Sequence, residues 1–428
     1  MTSLSTTARR RFIPVLTSAL LAAACSAPGP EAARGEDDAD VRARALGIHI
    51  RVTTIDTHVD IPENFGSPDA DPGVRGDRQV DLPKMREGRL DGAFFIVYVA
   101  QGPRTEQGYA AARRTAQQKF DGIFRMTRTH PDRIMLACRP SAVETLQEGN
   151  RHAAMIGVEN GYAIGRDISL LRDYYDQCAR YFGLVHNGHN DIADSATPNE
   201  GLGDAPEEHG GLSAFGEQVV RELNRLGIMV DVSHSSKKAM LHAIRVSRAP
   251  IIASHSGAAA VNQHRRNLDD EQLLALRDNG GVVQAVALAD FVKSPPTEKT
   301  EAIAALRTEY RLAPGASLDT LSADERARYD EQRAAIESRW PRANVSDFVD
   351  HIDHIVEVAG IDHVGIASDF DGGGGIDGWS DASETFNVTL ELVRRGYSEE
   401  QIAKIWGGNL LRVWREVESI GEGARPSQ

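Results

Sequence analysis

Two short apolar runs, Ile228-Met229-Val230-Asp231-Val232 and Pro250-Ile251-Ile252-Ala253, each lead into Ser-His-Ser, at Ser233-His234-Ser235 and Ser254-His255-Ser256. Between them Ser236 to Val246 has helical apolar spacing, so Gly227 to Ser256 reads as strand, helix, strand. Neighbouring parallel strands that end alike place two imidazoles at one edge of a sheet. Packing gives no reason for such a pair, because buried strands call for Val, Ile and Leu. A single histidine would be explained as a satisfied, partly buried imidazole; two in register point to chemistry.

The chain has 428 residues, 41% of them hydrophobic, enough for one large core. Residues 1–25 read as a targeting segment: Arg9-Arg10-Arg11 is a basic start, Phe12 to Ala24 an apolar stretch too short to span a bilayer, and Ala22-Ala23-Ala24-Cys25 a processing site. Arg9-Arg10-Arg11-Phe12-Ile13 also fits a twin-arginine signal. Cys25 resembles a lipoprotein acylation site except that Ala22 stands where Leu is usual; the competing reading is cleavage and free release. The expected destination is the bacterial cell envelope or periplasm, lipid-anchored or secreted. Residues 26–48 are expected to form a flexible linker, with Pro, Gly and acid concentrated in Ser26 to Asp40. Apart from Cys25, only Cys138 and Cys178 remain, which predicts no disulfide framework, and no CxxC pair is present. With 62 acidic against 48 basic residues, a net charge of −14 and no basic stripe, nucleic acid is excluded as a partner.

From about His49 apolar runs recur at His49 to Ile55, Gly92 to Val99, Ile134 to Ala137, Ala153 to Val158, Phe182 to Val185, Ile228 to Val232, Pro250 to Ala253, Gly281 to Leu288 and Val364 to Ala367, with helix-like segments between most of them. This alternation predicts an α/β fold, a (β/α)8 TIM-like barrel with insertions; an open doubly wound sheet is disfavoured because no Gly-x-Gly-x-x-Gly turn follows the first strand. The barrel domain is expected over residues 49–416, with a charged, helix-rich insertion at about 290–343 and a tail at 417–428. His351 and His354 lack the His-Glu-x-x-His form and read as helix-surface residues. Gly372 to Gly375, with no Lys-Ser or Lys-Thr after it, reads as a close backbone turn beside the site and not a phosphate cradle.

In such a barrel chemistry gathers at the carboxyl ends of the strands. The first strand ends Asp56-Thr57-His58-Val59-Asp60, where a His and an Asp two apart on an extended chain point to the same side. Met155-Ile156-Gly157-Val158 ends in Glu159, whose two oxygens could bridge two ions; Leu184-Val185 ends in His186-Asn187; His234 and His255 follow; Ile366-Ala367-Ser368 ends in Asp369-Phe370-Asp371. Each has a plain alternative: Glu159 as a helix cap, Asp60 as a turn residue before Pro62, Asp369 as a brace for the glycines. Their coincidence at one face predicts a metal site. Imidazole and carboxylate without thiolate suit zinc, ahead of manganese, cobalt or iron. His58 and Asp60 could hold one ion and His234 and His255 the other, with Glu159 shared. Two ions about 3.5–4 Å apart would lower the pKa of a bridging water and polarise a carbonyl, as amide hydrolysis near neutral pH requires. By composition His189 is as good a candidate as His186, and Arg266 beside Arg265 reads as a surface arginine.

The pieces Asp56-Thr57-His58-Val59-Asp60, Gly157-Val158-Glu159-Asn160-Gly161, Asp231-Val232-Ser233-His234, Ser254-His255-Ser256, Arg265-Arg266-Asn267, Ser368-Asp369-Phe370-Asp371-Gly372 and Gly407-Gly408-Asn409-Leu410-Leu411-Arg412-Val413 together resemble the membrane dipeptidase (renal dipeptidase) family of the metal-dependent amidohydrolase superfamily, from about Ile55 to Val413. The resemblance implies a zinc-dependent dipeptidase with two ions held by His58, Asp60, Glu159, His234 and His255, Glu159 bridging. It further implies His186 as the group that stabilises the oxyanion, Arg266 as the receptor for the dipeptide carboxylate, Asp369 as the proton-transfer residue, and a homodimer. A guanidinium suits a carboxylate because it binds in two-pronged fashion. Asn160 departs from the pattern, standing where the family usually has Gly, and is expected to alter the amine end of the pocket. The scaffold also admits hydrolysis of N-acyl amino acids or lactams. A reading from another class is a non-catalytic peptide-binding envelope protein, whose affinity would not depend on metal.

Overall fold

The computed structural model describes residues 38–313 and 317–421. The predicted targeting segment and the first part of the predicted linker lie outside the described residues. Nine strands run β1 (Ile55–Asp60), β2 (Gly92–Tyr98), β3 (Ile134–Leu136), β4 (His152–Glu159), β5 (Ala179–Gly183), β6 (Met229–Asp231), β7 (Ile252–Ser256), β8 (Val282–Val286) and β9 (Val364–Ala367). They pair in parallel in the order β1-β2-β4-β5-β6-β7-β8-β9. The ring closes where the Asp60 amide donates to Phe370 O at 2.9 Å, just past β9. Thr57 Oγ1 also donates across the interior to Ser254 O and Ile366 O. The fold is thus the (β/α)8 barrel that the alternation of apolar runs predicts. The run at Ile134 is not one of its staves: β3 pairs only with the first residues of β4, before β5 takes over at Ile156.

The eight strands of the ring are buried on both faces over most of their length, which is why they read as continuous apolar runs. Inside the ring Ile55, Phe94, Met155, Tyr181, Met229, Ile252 and Val282 pack together with Leu410, Trp414 and Val417 of the helix Asn409–Ile420. That helix plugs the end of the barrel opposite the site. The chain at 417 is therefore not yet a tail: Val417 is fully buried and the helix continues to Ile420.

Two other expectations at the amino-terminal side are corrected. His49 does not open a strand, and residues 38–48 are not linker; both belong to the helix Asp38–Arg51. Val41, Ala45, Ile48 and Val52 follow helical spacing and pack into the outer core. The His49 ring is pinned between Thr389 Oγ1 at 2.7 Å and Gly88 O at 2.9 Å. His351 is also not a surface residue. It is 1% exposed on the helix Val345–Ala359, where Nδ1 accepts from the Ala258 amide and Nε2 donates to Val292 O. It ties the segment after β7 to that helix, while His354 meets Asp270 at 2.8 Å near the surface.

Between β8 and β9 the helices Ala289–Val292, Thr297–Glu309 and Ala323–Arg339 precede Val345–Ala359, and Leu306, Leu312 and Tyr329 form a small separate core there. Cys138 and Cys178 are joined in a disulfide that links the end of the β3 segment to the residue before β5. Two thiols forty residues apart gave no framework pattern in the sequence, and the barrel brings them together across β4.

Candidate metal centre

Glu159, the last residue of β4, stands at the middle of the carboxyl-end face with 3% of its surface exposed. Its Oε2 lies 3.6 Å from His58 Nε2, and its Oε1 lies 3.1 Å from His234 Nε2 and 3.4 Å from His255 Nε2. His58 Nε2 is also 3.7 Å from Asp60 Oδ2 and 3.8 Å from Asp369 Oδ1. His186 comes within 4.0 Å of Glu159 and packs against the His234 ring at a tilt of 37°, centroids 4.0 Å apart. The groups His58, Glu159 and His255, then Glu159, His186 and His234, then His58, Asp60 and Asp369 are each close enough to share an ion. All seven ionisable residues proposed from the strand ends therefore meet at one mouth of the barrel.

Local structure explains how. In β1 the register shifts between Asp56 and Val59, so Thr57 and His58 both turn inward. His234 (φ 65°) and Asp369 (φ 57°) hold left-handed backbone that non-glycine residues adopt only under constraint. After His234 the chain goes straight into the helix Lys237–Val246, capped by Ser236. Behind Asp369 the backbone folds back so closely that a Cβ on Gly372 would lie 2.2 Å from Asp60 Oδ2, and one on Gly374 1.9 Å from Ser368 O.

The imidazoles are oriented from behind. Tyr181 Oη donates to Thr57 O and accepts from His58 Nδ1 at 2.9 Å. Ser254 Oγ donates to Asp231 Oδ2 at 2.7 Å and accepts from His255 Nδ1 at 2.8 Å. His234 Nδ1 faces Asn187 Oδ1 at 3.2 Å. These networks assign the proton of each ring to Nδ1 and turn the Nε2 lone pair toward Glu159. His58 Nε2 is buried with no hydrogen-bond partner, and the Nε2 atoms of His234 and His255 face each other at 2.9 Å. Three Nε2 atoms converging on a carboxylate fit a cation between them, and the oxygen and imidazole donors fit zinc.

The electrostatics agree. Burial pushes Asp369 up to about 8, with Asp60 and Glu159 adding to it against His58 and Arg266. Asp60 is pushed up to about 6, chiefly by burial. Burial opposes charge on both Glu159 and His58, but their attraction wins: Glu159 is held well below the usual carboxylate range and His58 rises to about 9. Burial, with Arg266 nearby, holds His234 and His255 well below an ordinary imidazole. The carboxylates thus call for positive charge at the point where the three Nε2 atoms meet.

Over this cluster opens a cavity of about 770 Å³. His186 and Arg266 line it. The Arg266 guanidinium is buried, over the Phe291 ring, with Nη2 on His255 O and Nε without a partner. His189 has both ring nitrogens committed, accepting from Ser195 N and donating to Ala205 O, so it is structural. Asn160 does not line the cavity, contrary to expectation: its side chain is wholly buried on Val99 O, Tyr162 N and Asn190 Nδ2. Tyr181, Asp231, Ser254 and Asn187 were not foreseen as site residues. Asp231 and Ser254 lie within the quoted motifs; Tyr181 carries no local signal.

A parallel barrel with imidazole and carboxylate ligands gathered at its carboxyl-end mouth defines a metal-dependent hydrolase. The profile of the membrane dipeptidase family (peptidase family M19) matches residues 42–428, and the chain belongs to that family. It is 34% identical over 349 residues to dipeptidase aclJ of Aspergillus oryzae, covering 80% of this chain and 71% of that protein. It is 32% identical over 347 residues to dipeptidase tcpJ of Claviceps purpurea, covering 80% and 70%. Among solved structures it resembles the probable dipeptidase PvdM from Pseudomonas aeruginosa, at 35% identity and a TM-score of 0.78 over 89% of this chain and 99% of the other. A metallopeptidase from Rhodobacter sphaeroides shares the fold at 23% identity and a TM-score of 0.65, over 86% and 99%. The chain is accordingly a dipeptidase of the metallopeptidase type.

Proposed function

We propose that the protein is an exported dinuclear zinc dipeptidase. One observation carries the reading: the two oxygens of Glu159 face different donors, Oε2 toward His58 and Oε1 toward His234 and His255. A carboxylate placed so is suited to bridge two ions, with His58 and Asp60 on one and His234 and His255 on the other. When bound, two zinc ions supply an ionised water near neutral pH and a Lewis acid for the amide carbonyl.

The protein's own groups do the rest. Arg266 receives the terminal carboxylate of the dipeptide; its burial makes that pairing stronger than a surface one. Burial holds His186 below its ordinary value, so at neutral pH its ring is an uncharged N–H donor beside Glu159, placed to stabilise the developing oxyanion. Asp369 Oδ1, 3.8 Å from His58 Nε2 and open to the cavity, is positioned to pass a proton to the leaving amine. The Cys138–Cys178 disulfide supports an oxidising destination, in keeping with the targeting segment and with anchoring through Cys25. A homodimer remains part of the proposal on the resemblance alone.

The test is metal content and turnover measured together, on dipeptides and on N-acyl amino acids. Two zinc ions per chain, dipeptide turnover lost to chelator and restored by zinc are expected. Peptide affinity without turnover, unchanged by chelation, would refute the enzyme reading, and preference for N-acyl amino acids would refute the substrate class. Fractionation with and without Cys25→Ser reads the anchor.

A further inference from the structure

Three lysines in the described residues are buried, and two of them have obvious acceptors. Lys84 donates to Gly76 O and Arg78 O, and Lys299 to Trp340 O and Glu337. Lys119 is the exception. It is 5% exposed, yet Nζ has no hydrogen bond or ion pair among the described residues; it sits over the Tyr98 ring, 5.1 Å from the centroid. Burial pulls its ammonium below the usual lysine value, only partly offset by Asp60, Glu159 and Glu63 at longer range. Asp60 and Glu159 are turned to the metal centre, and Glu63, exposed, accepts from Thr115 instead. The ammonium is not sealed off but opens on the cavity, so it stands there as a cation without a protein acceptor, ready to meet an anionic group that enters.

Lys119 lines the same cavity as Arg266. It projects from the helix Glu106–Thr129 that follows β2, and Arg266 follows β7. In the order β1-β2-β4-β5-β6-β7-β8-β9, β2 and β7 stand four staves apart in a ring of eight, on opposite sides of the mouth. His186 and Tyr98 continue the wall between centre and lysine, their rings 4.7 Å apart. The other basic groups there differ: Arg78 is committed to Asp371 and Asp60 O, and Arg265 is exposed.

We propose that Lys119 makes the enzyme selective for dipeptides whose amino-side residue carries a carboxylate side chain, glutamyl or aspartyl. This rests on the dipeptidase reading above. With the terminal carboxylate on Arg266 and the scissile amide at the centre, the amino-side residue extends toward the opposite rim, where Lys119 Nζ is the unmet cation. The side-chain carboxylate becomes its acceptor.

The experiment compares kcat/KM for Glu-Ala and Gln-Ala, with Ala-Ala alongside, in zinc-loaded wild type, Lys119→Met and Lys119→Arg; metal content and Tm establish that each variant is folded and loaded. A charge-assisted hydrogen bond in a buried setting predicts a Glu/Gln ratio of about tenfold or more in the wild type. The ratio should fall to about one in Lys119→Met, mainly through KM, and return in large part in Lys119→Arg. A wild type that turns over Ala-Ala but shows a ratio of one or less overturns the role of Lys119 and leaves the dipeptidase assignment standing. A ratio unchanged in Lys119→Met overturns it equally. Absence of turnover on all three dipeptides overturns both.

Discussion

Tyr181 Oη reaches across the barrel to lie 2.9 Å from His58 Nδ1 while donating its own proton to Thr57 O. It can do so because Gly157 leaves the space: a Cβ there would lie 2.2 Å from the Tyr181 ring. The phenol fixes which nitrogen of His58 is free to bind metal. Tyr181→Phe keeps the ring and removes that acceptor, leaving a buried N–H unmet and the tautomer unfixed. Loss of such an orienting partner typically costs about 10–100-fold in metal affinity. Competition against a chromogenic chelator measures it; affinity within a factor of two of wild type would show that Tyr181 orients nothing.

Glu159→Gln keeps the shape of the central residue and removes the charge that three histidines surround. Metal occupancy should fall below two ions per chain and turnover nearly vanish, since each ion loses an anionic ligand at once. Metal analysis of the purified variant beside its dipeptide rate decides this; full activity with both ions retained would contradict the bridging role.

His152, at the start of β4, is away from the metal ligands and gives a separate pH dependence. Burial, with Arg86 and Arg133 nearby, lowers its pKa to about 4 from the ordinary 6.5, although Leu90 O accepts from its ring. In the fold the imidazole is neutral, while the unfolded chain takes up a proton below 6.5. Stability should therefore fall as pH drops from 6.5 to 4 and level off beneath, by at most about 3 kcal/mol from this group. His152→Asn keeps an N–H for Leu90 O and removes the titration. Metal loss in acid is common to both proteins, so the difference between their urea midpoints across pH isolates the histidine. Parallel curves would exclude it.

The ligands were legible because each lies at or just past the carboxyl end of a strand, and strand ends announce themselves by a change from apolar to polar residues. The groups that orient those ligands were not. Tyr181 lies inside an apolar run and looks like core, which it also is; its role exists only once Gly157 and β1 are placed beside it. Lys119 did leave a trace, since Ala112, Ala116, Lys119, Ile123 and Met126 fall on one helical stripe and four of the five are apolar. A charge on a buried stripe demands a reason, and the sequence does not contain its partner. The helix at Asp38 was missed because its first residues share the polar composition of the segment before it; the buried positions Ala45 and Ile48 decide the matter. His351 follows the same rule, polar by type but held by backbone groups of two other segments.

The Cys138–Cys178 bond closes a loop of forty residues that contains all of β4 and hence Glu159. Cross-linking a loop of this length restricts the unfolded chain by an amount worth about 2–4 kcal/mol. Serine at both positions should lower stability to unfolding by that amount, read from denaturant midpoints on metal-free protein so that ligation does not mask the change. Both ends of the bond lie outside the cavity. Metal stoichiometry and kcat of the folded double variant should therefore stay near those of wild type. A variant that unfolds at the same midpoint would show that packing around β4, and not the cross-link, holds the loop. One that folds but binds fewer ions would show that the bond sets the position of Glu159 itself.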